Sequence, residues 1–440
     1  MKNCNEVITH CALRITHCLL IIFLLSFGTC AAQDNQDNQN ELDAAEIRLT
    51  CAVCSLGAYS GDESFLLRSM LAARGWQIEK LSKKNNLADA KAYLAAKGDV
   101  KILAIAGTES LKDVEVDFRA GRVPLDDGIP LDEKEKHAGD KIFVHRGFRD
   151  YADVVLSDGL FERLTTSLKN NPNEKLYLTG HSLGGSVAIV MGLRLADAGV
   201  DKNQFAVITF GSMAVGSDAL AKNYEDKVDV TRVVMKGDML KKSMRALGYA
   251  EFGDVIKYES HSGNDHSEHK MAVYLDSALR DYYEAGGTLQ HEAKEKVAAP
   301  VYIAPVLYDK SQLKKSDAKL ILNALNDTLE NHFAQPIFAE PRSIAGNAKD
   351  FVEPEVDGFI DAANESGCKY VLIRILSAKK IRDARYGERI ITLEEMIFDA
   401  NGFLLSMQTS GASTENLTLL EAALSAQETL NASAKEIFTK

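Results

Sequence analysis

The stretch that most constrains this chain's fold is KLYLTGHSLGGSVAIV, residues 175–190. A short apolar run, Leu176 to Thr179, ends in a turn bracketed by Gly180 and Gly184, and an apolar run of helical character follows at once. Glycines permit the tight turn, and Gly185 lets the helix lie close against a sheet. Ser182 stands at the tip of the turn. Such a serine can be a helix cap and nothing more. Alternatively, the turn lifts its hydroxyl into the open and leaves the Leu183 backbone N–H at a helix N-terminus, where it can donate to a developing negative charge.

The surrounding pattern decides the fold class. Helical patterns at 43–57 and 63–74 precede the strands VKILAIAG (100–107) and KIFVHRG (141–147) and a helix at 149–169. After the opening stretch, whose helix runs to Ala198, come the strands FAVITFG (205–211) and VTRVVMKGD (230–238) and the helix HKMAVYLDSALRDYY (269–283). Buried apolar strands separated by amphipathic helices indicate an α/β fold. The turn-rich and then charged segment AGGTLQHEAKEKVAAP marks a boundary, so the α/β domain is expected over 43–286 and a linker over 287–299. A smaller α+β domain is expected over 300–440: the strand VYIAPVLY, a helix at 316–333, the strand YVLIRIL, a hairpin over 388–409 turning at Ala400-Asn401-Gly402, and a helix from 415 onward. No catalytic constellation stands out in it.

Lys2 and Arg14 precede the apolar run Leu19 to Phe27, which ends in small residues at 28–32, so residues 1–32 read as an export signal and 33–42 as a flexible polar linker. Cleavage after Ala31 or Ala32 would release a soluble protein; lipid attachment at Cys30 would tether it. Beyond the signal only Cys51, Cys54 and Cys368 remain, which is no disulfide framework. The Cys51-x-x-Cys54 spacing lies in a helical pattern and reads as small packing residues rather than a redox pair. A net charge of −12 argues against nucleic acid, and overall charge gives no attraction to an anionic membrane.

A serine hydroxyl becomes nucleophilic only beside an imidazole that takes its proton, and the imidazole needs a carboxylate to hold its tautomer. Asp238, at the end of TRVVMKGD, is the first carboxylate candidate, ahead of Asp254 and Asp229. Later histidines are His261, His266, His269, His291 and His332, the last two in the linker and the second domain. In DHSEHKMAVYL, Asp265 as N-cap and Glu268 three residues on form a capping box, which sets His269 in the first helical turn and favours it over His266. The cluster HSGNDHSEH lacks His-x-x-x-His spacing, so no metal or cofactor is expected.

Together these residues resemble the class 3 lipases, a group of α/β hydrolases. The likeness runs from about Cys51 to Tyr283 through IAGTESLKDVEVDF (105–118), VHRGF (144–148), TGHSLGG, ITFGS (208–212), the Asp after the next strand, and H-x-x-x-x-Y-L at 269–275. It implies Ser182 as nucleophile, Asp238 as orienting acid, His269 as base, and Thr108 as a second oxyanion donor beside Leu183. Ala106 stands where the family usually has Arg, and Met213 where Pro often follows Gly-Ser. The family's lid falls on Ser110 to Ala120, with Leu111, Val114 and Phe118 at helical spacing, either a lid that opens at a lipid surface or an ordinary surface helix. The loop Gly121 to Asp140 is either part of substrate access or a plain insertion. The reading is an exported serine carboxylic-ester hydrolase acting on lipid acyl esters through an acyl-enzyme. Acyl transfer by the same residues, or a non-catalytic envelope binding protein on a hydrolase scaffold, are the rivals.

Overall fold

The computed structural model describes residues 38–59, 71, 75–84, 89–107, 121–125, 142–238, 244–259, 268–287, 296–346, 356–382, 388–414 and 417–438. The export signal, nearly all of the helix expected at 63–74, Thr108 and the lid segment lie outside them, as do His261, Asp265, His266 and His291.

The first sheet has seven strands in chain order: β1 (Gln77–Lys84), β2 (Asp89–Lys97), β3 (Val100–Ile105), β4 (Lys175–His181), β5 (Phe205–Phe210), β6 (Val230–Met235) and β7 (Asp254–Tyr258). β1, β2 and β3 pair antiparallel, and from β3 to β7 every pairing is parallel. The inner parallel strands are short and largely apolar because both faces are covered; all six residues of β5 are buried. One face carries Ile102, Ala104, Ile208, Phe210, Val233 and Met235 against α1 (38–59) and α6 (Met271–Glu284). The other carries Leu103, Ile105, Leu176, Leu178 and Val207 against α2 (Arg146–Leu156), α3 (Leu160–Asn170) and α4 (Leu183–Asp197). This alternation of neighbouring residues between two cores is the period-two signature of a strand buried on both sides.

Several expectations are revised. The helix expected at 149–169 is two, because Asp158 and Gly159 take left-handed φ values of 55° and 77° and turn the chain between α2 and α3. KIFVHRG contributes only Val144–His145, paired with Arg122–Val123 outside the main sheet, since the His145 and Arg146 amides bond to Val215 and Gly121 and hold this segment among the loops. Residues 38–42, expected as flexible tether, already belong to α1, where Gln39 bonds Asp43 one turn on at 2.7 Å. β1, β2, β7 and the short helix α5 (Asp218–Tyr224) had no clear sequence signal.

The second sheet has the order β10 (Phe333–Phe338), β8 (Val297–Ile303), β12 (Tyr370–Lys380), β9 (Val306–Asp309), β11 (Ser343–Gly346), with β13 (Arg389–Asp399) antiparallel to β12 and β14 (Leu404–Ser413) antiparallel to β13. The run VYIAPVLY, expected as one strand, is two. Pro305 has no N–H to give the ladder, and the long β12 pairs with β8 through Tyr370–Leu372 and with β9 through Ile375–Leu376. Among the described residues three helices complete this unit: α7 (Lys315–His332), α8 (Val356–Glu365) and α9 (Leu419–Phe438). The turn at 400–402 is closed by Asp399, whose Oδ1 accepts from the Asn401 and Phe403 amides at 2.9 Å each.

The two units share a core. One buried cluster joins Leu275 and Leu279 of α6 and Leu49 and Val53 of α1 to Ile321, Leu325 and Leu424 of the second unit. Across the same boundary Arg280 of α6 donates to Asp317 of α7 at 2.9 Å, while it also donates to Asp276 of its own helix at 2.8 Å.

Candidate active site

The carboxyl ends of parallel strands are where an α/β sheet presents its ligand-binding loops, and β3, β4, β5 and β6 deliver the candidate residues there. At the end of β4 the chain reverses into α4 with Ser182 at φ 57°, ψ −124°, a conformation that costs a side-chain-bearing residue roughly 1–3 kcal/mol. Two glycines make the reversal feasible. A Cβ on Gly184 would lie 2.1 Å from the Ile105 carbonyl oxygen, and one on Gly180 would lie 2.4 Å from the Gly184 carbonyl carbon. The helix start is thus pressed against the end of β3. Ser182 occupies the N-cap position but makes no side-chain cap hydrogen bond. Its hydroxyl turns to His269 instead.

Ser182 Oγ lies 2.9 Å from His269 Nε2, and His269 Nδ1 lies 2.8 Å from Asp238 Oδ2. All three are buried, at 2%, 8% and 4% exposure. An ionised carboxylate only accepts, so Asp238 keeps the proton on Nδ1 and leaves Nε2 free to take the serine proton. Of the other carboxylate candidates, Asp229 sits before β6 at the amino end of the sheet, and Asp254 opens the edge strand β7; both are exposed. His332 ends α7 in the second unit.

His269 lies before the helix rather than in its first turn. α6 starts at Met271 with Lys270 as an extended N-cap that makes no side-chain cap bond, and the His269 carbonyl is held 2.6 Å from His181 Nε2. His181 therefore donates from Nε2 and accepts at Nδ1 from the Tyr59 hydroxyl, 2.8 Å away. The resulting chain, Tyr59 to His181 to the His269 backbone, pins the segment that carries His269. Neither Tyr59 nor His181 was singled out from sequence, because no local spacing relates α1 to β4.

Tyr274 is the third such residue. Its hydroxyl donates to Asp238 Oδ2 at 2.7 Å and accepts from the Met235 amide at 3.1 Å. It is the Tyr of H-x-x-x-x-Y-L, so a signal was present without a role attached to it. A hydrogen bond to a charged group contributes about 1.5–3 kcal/mol. Tyr274→Phe is thus expected to lower kcat about tenfold or more with KM nearly unchanged, measured by steady-state ester hydrolysis. A parent-like kcat would leave the hydroxyl no role in holding Asp238.

The two departures from the family pattern have local counterparts. The Met213 amide donates to Ser186 Oγ at 2.9 Å, a bond that proline could not make, and it ties the β5 loop to α4. Ala106 is buried, its carbonyl accepts from the Tyr151 hydroxyl at 3.3 Å, and the Tyr59 hydroxyl lies where a Cβ on Gly107 would be. These two tyrosines brace the strand end that leads to Thr108. Leu183 is the first residue of α4, and the first amides of a helix have no partner within it.

Burial lowers His181 to about 3, with the neighbouring His269 as the next cause, and burial lowers His145 to about 4. Both therefore stay neutral where the site would work. An unfolded histidine titrates near 6.5, so between about pH 4 and 6.5 the unfolded chain binds protons that the folded chain refuses. Stability is expected to rise with pH across that window, by up to about 1.4 kcal/mol per pH unit for each histidine. His145 packs on Phe148 and Tyr249 at ring-centroid distances of 4.4 and 5.6 Å. His145→Phe should flatten the slope, measured by urea unfolding at pH 5, 6 and 7. An unchanged slope would assign the acid sensitivity elsewhere.

Cys51 and Cys54 are free and buried on α1, and burial pushes the Cys51 thiol up to about 12. Such thiols pack and do not react. Among the described residues no group of three or more His, Cys, Asp or Glu could hold a metal ion, and no helix is long and apolar enough to cross a membrane.

A strained serine between strand and helix, bonded through histidine to an aspartate at the carboxyl ends of a largely parallel sheet, is the arrangement that a serine nucleophile on an α/β-hydrolase fold requires. Residues 102–247 match the class 3 lipase family model. Two curated relatives match parts of the chain. A chloroplast phospholipase A1 of Arabidopsis thaliana, PLIP1, is 31% identical over 24% of this chain and 17% of its own length. The lipase ZK262.3 of Caenorhabditis elegans is 36% identical over 17% of this chain and 22% of its own. The matched stretches thus span less than a quarter of either relative. Among solved structures, lipase II from Rhizopus niveus aligns with a TM-score of 0.41 at 20% identity, over 52% of this chain and 83% of that one. A lipase from Rhizopus microsporus var. chinensis aligns with a TM-score of 0.38 at 20% identity, over 49% and 74%.

Proposed function

We propose that this chain is an exported serine carboxylic-ester hydrolase whose substrates are lipid acyl esters. The observation that carries the chemistry is the unbroken contact from Ser182 Oγ through His269 to Asp238, at 2.9 and 2.8 Å, on a turn strained enough to present the hydroxyl. Ser182 Oγ attacks the ester carbonyl carbon while its proton passes to His269 Nε2, and the imidazolium formed is held by Asp238. The carbonyl oxygen becomes an oxyanion facing the Leu183 amide, with Thr108 assigned as the second donor. Collapse expels the alcohol, which takes the proton from His269, and leaves an acyl-enzyme. A water then gives its proton to His269, attacks the acyl carbon, and the acid departs as the proton returns to Ser182. The lipid character of the substrate is supported by the family match of residues 102–247 and by the two relatives, one a phospholipase A1 and one a lipase by name. Export is supported by the charged, apolar and small-residue order of residues 1–32.

A fluorophosphonate probe tests the nucleophile directly: one covalent adduct per chain, located on Ser182 by peptide mass mapping. No labelling would instead favour a binding protein on a hydrolase scaffold. Comparing hydrolysis of phosphatidylcholine and triacylglycerol dispersions with that of a short-chain p-nitrophenyl ester tests the substrate class. Cleavage of the water-soluble ester alone would sink the lipid reading.

A further inference from the structure

Two imidazoles face each other at the site, and only one of them contacts Ser182. The rings of His181 and His269 lie 4.7 Å apart, inclined at 36°. Burial keeps His181 neutral, so its ring carries a single proton. The partners of the ring decide where that proton sits. A carbonyl oxygen only accepts, so the 2.6 Å contact between Nε2 and the His269 carbonyl requires the proton on Nε2. Nδ1 is then an acceptor, and the Tyr59 hydroxyl donates to it from 2.8 Å. The same hydroxyl is 3.4 Å from the His181 carbonyl oxygen, the longer and weaker of these two contacts.

In the opposite tautomer a lone pair on Nε2 would face the lone pairs of the His269 carbonyl across the same 2.6 Å. The two would repel, and the His269 backbone would withdraw. Its position depends on this bond because His269 lies ahead of α6, which starts at Met271, and the N-cap Lys270 makes no side-chain cap bond. Tyr59 ends α1 and stands 122 residues from His181 along the chain. Its hydroxyl also sits where a Cβ on Gly107 would lie, so it touches the ends of β3 and β4 together.

We infer that Tyr59 is a positioning residue for hydrolysis: its hydroxyl locks His181 in the Nε2–H tautomer, and that tautomer holds the His269 backbone where the imidazole reaches Ser182. The inference rests on the hydrolase reading proposed above. Neither Tyr59 nor His181 handles the reacting proton; both act through His269. The scale of the effect follows from geometry, since a misplacement of about 1 Å at a reacting group costs roughly 10²-fold in rate.

Steady-state hydrolysis of a short-chain p-nitrophenyl ester by the full chain tests this. Tyr59→Phe should lower kcat about tenfold and leave KM within about twofold of the parent, because ground-state binding of the ester is untouched. It removes one oxygen and keeps the ring, so it decides the matter even where variants of buried His181 fold poorly. An asparagine amide reaches only to the depth of Nδ1, whereas a glutamine amide reaches that of Nε2 and can donate to the His269 carbonyl. His181→Asn should therefore lower kcat about 10- to 100-fold, and His181→Gln should recover it to within about fivefold of the parent. Tyr59→Phe added to His181→Asn should cost little more, because residues acting through one chain of bonds are not additive.

A parent-like kcat in Tyr59→Phe would overturn the inference. So would losses that multiply in the double variant, losses confined to KM, or an His181→Gln variant as slow as His181→Asn. Each of these leaves the hydrolase reading standing, because the parent is assayed alongside for turnover and fluorophosphonate labelling. A parent that neither turns over nor labels would overturn that reading, and this inference with it.

Discussion

Alanine at position 182 is expected to lower kcat for a short-chain p-nitrophenyl ester by about 10⁴-fold or more, because the remaining machinery can only bind and polarise the ester. Fluorophosphonate labelling should disappear with it. The fold should survive, since alanine keeps the Cβ that the elbow already accommodates and the hydroxyl's contact is with His269. Glycine at the same position separates strain from chemistry. It too should be inactive, yet more stable than the alanine variant by about 1–3 kcal/mol, because φ 57° is no burden to glycine. Thermal unfolding of both variants beside their hydrolysis rates checks this. An alanine variant retaining a tenth of the parent rate would refute Ser182 as nucleophile.

The largest expected effect on stability lies where the two units meet. Arg280 is buried between Asp276 and Asp317, all three under 9% exposed. Arg280→Met fills much of the same space but strands two buried carboxylates, and breaking a buried ion pair in this way costs about 3–5 kcal/mol. The pH dependence identifies the cause. Without the cation, burial and mutual repulsion raise both carboxylates above their unfolded values, so the deficit is full at pH 7 and shrinks as acid protonates them. Urea unfolding of variant and parent at pH 7 and pH 5 should show the gap narrowing. A gap that stays constant would mean lost packing rather than stranded charge. Adding Asp276→Asn and Asp317→Asn should recover part of the loss.

That ion triad also changes how the C-terminal segment is understood. From sequence it stands as an accessory domain beyond a linker. In the structure its helix α7 supplies Asp317 to α6, the helix that follows His269 and carries Tyr274, and Ile321 and Leu325 enter the core that lies behind the first sheet. Its burial is therefore part of what holds the helix behind His269, a role invisible in a segment that carries no catalytic motif.

How much was readable follows from the range of the interactions. The Ser182 elbow and its flanking glycines lie within a few residues, so periodicity and turn chemistry expose them directly. The pairing of β1 with β2 was missed because QIEKLSKK lacks an apolar run: as an edge strand it needs charge where an inner strand needs burial. The break at Asp158-Gly159 was missed because amphipathic spacing continues on both sides of it. Asp265 as a helix cap was a reasonable local inference, but α6 starts only at Met271 and the bond from His181 fixes the turn before it.

By itself, then, the sequence determined the alternation of strands and helices, the turn at Ser182 and the residue types able to act there, because these depend on side-chain period and on backbone freedom over short spans. Only the tertiary structure decided which carboxylate and which histidine reach the serine, that Tyr59, His181 and Tyr274 hold them, and that the second unit shares their core. His269 stands 87 residues from Ser182 along the chain and 2.9 Å from it in space. A distance of that kind is set by how parallel strands stack and bring their carboxyl ends together, which no local pattern encodes.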